Sequence, residues 1–469
     1  MKKPSPILAL AYNFLILISV LMLILAPRPL TGLMDLSSAV RFDKAGEHIP
    51  AALAYKSAAE RLPWQLSLWE KAGTSALLGS NLPDAITLLT KAAARDAISK
   101  NGWVSLGLAD QESGDLPSAM KAWRNALPMA EAYRYLAQGQ RISGDFSAAM
   151  DSWHASLLQE PQEAAAHYQV GLLEMALAPS KALPDLMRAA RLDPKLDASV
   201  QNLRGALNAA LLSDDRSYQF VISGRALGAS GNWDLAAEAF RNAIALRTDY
   251  AEAWAWLGEA KQQQGQDGSA EIERALAINP DSAMLQSLYG LYLQRQKQPE
   301  KALTAFQKAV TLQPEEPGWQ MALGGAYEQN GNLIAALEHY QRAVELAPDE
   351  PTAWRALAEF SLRNSVDLAG IGLPAARRLV ELVNNDWQAD DIAGQILMEN
   401  ADIIGAEALL KKAVELDPTQ AAPALHLGLL YLQTGNRVSA YSYLNQAKVF
   451  DPDGPYGWQA KRLLEQYFP

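Results

Sequence analysis

The sequence predicts an all-α protein, a superhelical solenoid of stacked helix-turn-helix units. Alanine and leucine recur throughout, and β-branched runs of strand length are scarce, which favours helix. Prolines punctuate the second half at a fixed interval: Pro280, Pro314 and Pro348 are 34 residues apart, as are Pro418 and Pro452. Between them run paired apolar stripes at i, i+3, i+4 and i+7, broken by turns such as Gln329-Asn330-Gly331-Asn332 and Gln433-Thr434-Gly435-Asn436.

Each period reads as a helix, a tight turn and a returning helix. A proline then stops the second helix, because it lacks an N–H and disfavours helix in the residue before it. One such unit cannot bury its own apolar face, so neighbours must stack. The length of 469 residues suits an array better than a single core. Hydrophobic residues at 49% and charged residues at 20% exclude a disordered chain.

The formal charge is −11 and no Lys/Arg cluster is present, so a nucleic-acid partner is not expected. With no cysteine in the chain, disulfides, thiolate metal sites, a cysteine nucleophile and a lipid-modified cysteine are excluded.

The apolar run Ile7 to Ala26 follows Met1-Lys2-Lys3 and is long enough to cross a hydrocarbon core of ~30 Å. Ala26 lies between Leu25 and Pro27, a poor cleavage site, so residues 1–30 are expected to be an uncleaved transmembrane anchor ended by Pro27 and Pro29. Charges flank the run almost evenly. Because Lys2 and Lys3 resist translocation, the repeats are expected on the extracytoplasmic side of a single-pass topology.

Ahead of each proline stand small and large residues in register: Ala302, Phe306, Ala309, Pro314; Ala336, Tyr340, Ala343, Pro348; Ala406, Leu410, Ala413, Pro418; Ala440, Leu444, Ala447, Pro452. A second pattern precedes each block: Trp254, Leu257, Gly258; Leu323, Gly324, Tyr327; Leu427, Gly428, Tyr431; and, earlier, Trp103, Leu106, Gly107. The two together resemble the tetratricopeptide repeat (TPR) family, over nearly everything after residue 30. The packing expected from this pattern puts Gly324 and Ala336 at the close approach of two helices, with Phe306 or Tyr340 filling the gap between repeats.

Earlier copies are looser: Trp69, Gly73, Ala85 and Leu89; Gly107, Ala119 and Trp123; Tyr133, Ala149 and Trp153; Gly171, Ala182 and Leu186; Gly224, Ala236 and Phe240. The expected organisation is an N-terminal array over 31–196, its first copy degenerate around Ala51, Tyr55 and Ala58. An irregular helical connector over 197–216, a C-terminal array over 217–454 and a capping helix over 455–469 follow. The copy at 251–282 is two residues short in its turn, and that at 351–386 carries an insertion around Ala369–Pro374.

No phosphate-binding glycine loop, His-Glu-x-x-His, serine elbow or calcium loop is present. With little chain left outside the repeats, no enzymatic activity, cofactor, metal or small-molecule substrate is expected. The histidines fall in different repeats and read as packing or surface residues. Asp214-Asp215 and Asp390-Asp391 read as charges at helix starts. Trp69, Trp103, Trp254 and Trp354 share one repeat position and read as packing residues. Trp256 and Trp387 are off that register and are candidates for partner contact.

In TPR proteins the first helix of each pair lines a concave groove that takes protein or peptide. The resemblance implies inward positions at Arg134, Gln138, Arg141, Arg225, Glu259, Arg355, Glu359 and Arg363. Arginine forks suit carboxylates, although Arg355, Glu359 and Arg363 also fit an i, i+4 ladder. A Lys/Asn clamp for C-terminal carboxylates is absent. The function expected is a scaffold held to the membrane through residues 7–26, gathering protein partners into an envelope or membrane complex. The alternative is a regulatory or targeting subunit of an enzyme whose catalytic chain is separate.

Overall fold

Two adjacent residues make most of the helix-to-helix turns. The first has a left-handed backbone: φ is +89° at Gly114, +80° at Gly144, +77° at Gly331 and +79° at Gly435. Next comes an Asp or Asn whose side chain caps the returning helix, as when Asp115 accepts from the Ser118 N–H at 3.0 Å and Asn332 from Ala335 at 3.1 Å. Ser80, Lys297, Ser365 and Ala401 take the same backbone without being glycine.

The computed structural model describes residues 27–468. The expected anchor over 7–26 therefore lies outside the described residues. Among the described residues there are twenty-six α-helices and no strands, forming a TPR-type α-solenoid, and no helix is long and apolar enough to cross a membrane. Pro27 and Pro29 are the first and third described residues of the helix Pro27–Lys44.

The chain divides into two compact units, Met1–Thr248 and Asp249–Pro469. In the first, the helices are α1 (Pro27–Lys44), α2 (His48–Arg61), α3 (Leu68–Leu78), α4 (Leu82–Ala93), α5 (Lys100–Glu112), α6 (Leu116–Asn125) and α7 (Ala130–Ile142). They continue with α8 (Phe146–Gln159), α9 (Ala164–Leu177), α10 (Ala182–Leu192), α11 (Asp197–Leu211), α12 (Arg216–Ala229) and α13 (Trp233–Leu246). Consecutive helices pair from α1/α2 to α9/α10, and then α12/α13. The unpaired α11 buries Val200, Leu203, Leu207 and Ala210. It lies within residues 197–216, and α9 also packs directly on α12 and α13, so the stack continues past it.

The second unit holds α14 (Ala251–Gln263), α15 (Ser269–Ile278), α16 (Ala283–Arg295), α17 (Pro299–Leu312), α18 (Pro317–Gln329), α19 (Leu333–Leu346) and α20 (Pro351–Asn364). After these come α21 (Leu373–Leu382), α22 (Trp387–Glu399), α23 (Ile403–Leu416), α24 (Ala421–Gln433), α25 (Arg437–Phe450) and the unpaired α26 (Pro455–Tyr467). The insertion before α21 is a π-helical turn, Leu368–Gly372.

One contact recurs inside the pairs. The glycine of the first helix takes the large side chain sixteen residues on: Gly107 faces Trp123, Gly224 Phe240, Gly290 Phe306, Gly324 Tyr340, Gly394 Leu410 and Gly428 Leu444. A methyl group on Gly107 would lie 2.2 Å from Trp123 Nε1. Phe306 and Tyr340 sit first on the glycine of their own pair, and Tyr340 then meets Phe360 of the next pair, ring centroids 5.1 Å apart. The close approach expected at Gly324 is present, since a Cβ there would stand 3.3 Å from the Ala336 carbonyl oxygen.

Candidate functional site

In the second unit, first helices of successive pairs converge on one groove of about 530 Å³. Helix α20 contributes Arg355, Glu359, Leu362 and Arg363, and α22 contributes Trp387, Gln388, Asp391, Ile392 and Gln395. Ala422 and His426 come from α24 and Tyr456 from α26, which stands where another first helix would. Side chains one turn apart on a helix share a face, so Arg355, Glu359 and Arg363 reach the groove together.

The groove is internally neutralised. Arg355 donates to Asp386 at 2.5 Å, and Arg363 donates to Glu359 at 3.1 Å and to both oxygens of Glu328 at 3.2 Å. Glu328 also accepts from Asn364 at 2.7 Å and Tyr340 at 3.0 Å. Burial alone would raise the Glu328 carboxyl, but these donors outweigh it and hold it below the usual glutamate value. On the opposite wall, Asp391 binds the His426 ring at 2.7 Å and accepts from Gln395 at 3.0 Å.

Asp390 lies in the first turn of α22, at the helix start as expected, and Asp391 follows it. Both are buried, Asp390 against Lys412 of α23 and Asp391 against His426 of α24. Asp386 performs the capping, accepting from the Gln388 N–H at 2.9 Å. Asp215 does cap α12, as expected. Of the two off-register tryptophans, Trp387 lines the groove, whereas Trp256 packs on an apolar cluster with Ala255, Leu285 and Leu288.

The remaining groove candidates are distributed differently. Glu259 is buried and takes both arms of Arg295, at 2.6 and 2.7 Å. In the first unit, Gln138 and Arg225 are exposed, and Arg134 pairs with Glu160. Arg141 reaches across ninety-three residues to Asp234, through Nε at 2.7 Å and Nη2 at 2.8 Å. It also donates to Asn232 and Gln169. Asn232 stands at the cap of α13 but makes no capping bond, its oxygen being held by Arg141.

Asp391, Gln395, His426 and Tyr456 were not singled out in the sequence as groove residues. Asp391 and Gln395 had a signal: taking the first residue of α22 as position 1, as Pro351 is in α20, puts them at the positions of Arg355 and Glu359. The 36-residue step caused by the π-turn insertion hides that register.

Tetratricopeptide-repeat models match residues 224–265, 287–351, 321–365 and 397–464. Among solved structures, the chain is similar to yeast Tom70, with 16% identity over 93% of this chain and 95% of that one and a TM-score of 0.42. It is likewise similar to the Cut9–Hcn1 assembly of APC/C, with 14% identity over 94% and 98% and a TM-score of 0.45. PilF of Pseudomonas aeruginosa shares 19% identity over 53% of this chain and 98% of its own, with a TM-score of 0.35. No curated protein matches the chain. With the 34-residue register, the glycine-to-large-residue contacts and these family matches, the chain carries tetratricopeptide repeats.

Proposed function

We propose that this protein is a membrane-anchored scaffold that holds an extended segment of a partner protein along the groove from α20 to α26. The observation that carries this reading is the convergence of four helices on one groove of about 530 Å³, within the usual size of a binding cleft. Its charged groups already pair with one another, so the fit favours a segment of mixed polarity. Such a segment would set an apolar side chain against Leu362, Trp387 and Ile392, its backbone meeting Gln388 and Gln395. Catalysis is not part of the proposal.

A photo-reactive amino acid at Gln395, introduced in cells, should yield adducts with a partner, and Trp387→Ala should remove them while helicity is kept. Adducts at Gln395 that persist in Trp387→Ala, or their absence when other faces of the chain react, would place the partner elsewhere.

The anchor is supported by the apolar run Ile7 to Ala26. Lys2 and Lys3 ahead of it favour the repeats outside the cytoplasm. Alkaline phosphatase fused after Pro469 should then be active. An active cytoplasm-only reporter at that site would reverse the orientation.

A further inference from the structure

The end of a solenoid normally turns a polar face to water, because no further repeat covers it. Helix α1 does the reverse. One stripe, Gly32, Leu36 and Ala39, packs on α2: Leu62 and Arg61 lie against Gly32, and Arg61 pairs with Asp35. The opposite stripe carries Leu30, Leu33 and Met34, which are 62%, 51% and 70% exposed. These are neighbours at i, i+3 and i+4 on one face. Because α1 and α2 run antiparallel, the residues after α2 return to the start of α1. There Trp64, 63% exposed, stands two residues beyond Leu62.

This apolar end is also where the run Ile7 to Ala26 joins the fold. Seven residues at 1.5 Å separate Pro27 from Met34, so Leu30, Leu33 and Met34 all lie within about 10 Å of that junction along α1. An interfacial helix buries its apolar face to a similar depth at the headgroup boundary, and tryptophan favours that layer. Arg28, exposed beside Leu30, can keep its guanidinium among headgroups while its stem stays apolar.

We infer that the outer face of α1, with Trp64, seats in the headgroup–acyl boundary of the bilayer, giving the array a fixed footing rather than a flexible tether. The inference rests on the proposed anchor. Since the chain has no cysteine, single-cysteine variants label uniquely. Full-length Met34→Cys, Trp64→Cys and, as control, Leu158→Cys would each carry a fluorophore in phosphatidylcholine vesicles doped with lipid nitroxide-labelled near the top of its acyl chain. Leu158 is exposed on α8, several pairs away. Emission should be largely lost at positions 34 and 64 and kept at 158. A carbonate-resistant chain with unquenched labels at 34 and 64 overturns the seating and leaves the anchor standing. Release of the full chain by carbonate overturns both. A label at 34 shielded from the lipid nitroxide and from aqueous iodide means that protein, such as a second copy, covers this face, and this also overturns the seating.

Discussion

Glu174, on the first helix of the α9/α10 pair, is buried with one carboxylate oxygen lacking any hydrogen-bond partner. Burial, reinforced by the charge of Asp185 and partly offset by Lys181, raises its carboxyl from 4.5 to about 7. The fold therefore prefers the neutral acid. Its contribution to stability is complete below about pH 4.5 and lost as pH rises through about 7, a loss of about 3 kcal/mol across that window. Glu174→Gln, which keeps a neutral side chain at every pH, should match the parent's thermal midpoint near pH 5 and exceed it at pH 8. An equal difference at both pH values would mean that Glu174 is not held neutral. Nothing local in the sequence marks Glu174, because its environment is made by residues of the returning helix. Arg141 was visible as an inward position, but its partner Asp234 is ninety-three residues away, so its use as a brace was not.

At the scale of the helix pair, most of the design is legible. The 34-residue period marks the pairs, Gly331 and Gly435 mark their turns, and the paired small and large residues mark their contacts. What escaped is the backbone at turns that lack glycine. Ala401 has φ of +60° yet stands 34 residues before Gly435, in the same turn position. Its Cβ crowds the carbonyl there, at a cost of ~1–2 kcal/mol, against which glycine loses part through the freer unfolded chain. Ala401→Gly should raise stability by roughly 0.5–1 kcal/mol, and the β-branched Ala401→Val should lower it. Thermal melts of the two variants would show the order, and the reverse order would remove the strain assigned to this turn. The groove was half legible for a related reason. Arg355, Glu359 and Arg363 follow from counting along one helix, whereas His426 and Tyr456 enter only because α24 stacks beside α22 and α26 beside α24.

Across the molecule, stability is shared between neighbouring pairs and is not held in one core. Ala336 is fully buried where α18 and α19 approach, with no room for a large side chain beside Gly324. Ala336→Trp should overpack that contact at a cost of ~1–3 kcal/mol or more. In a nearest-neighbour stack the loss stays close to its source. Hydrogen exchange measured along the whole chain is therefore the most direct test. In Ala336→Trp, exchange should quicken from about residue 283 to 386 and stay nearly unchanged before residue 196. Uniform acceleration from one end of the chain to the other would contradict this sharing of stability.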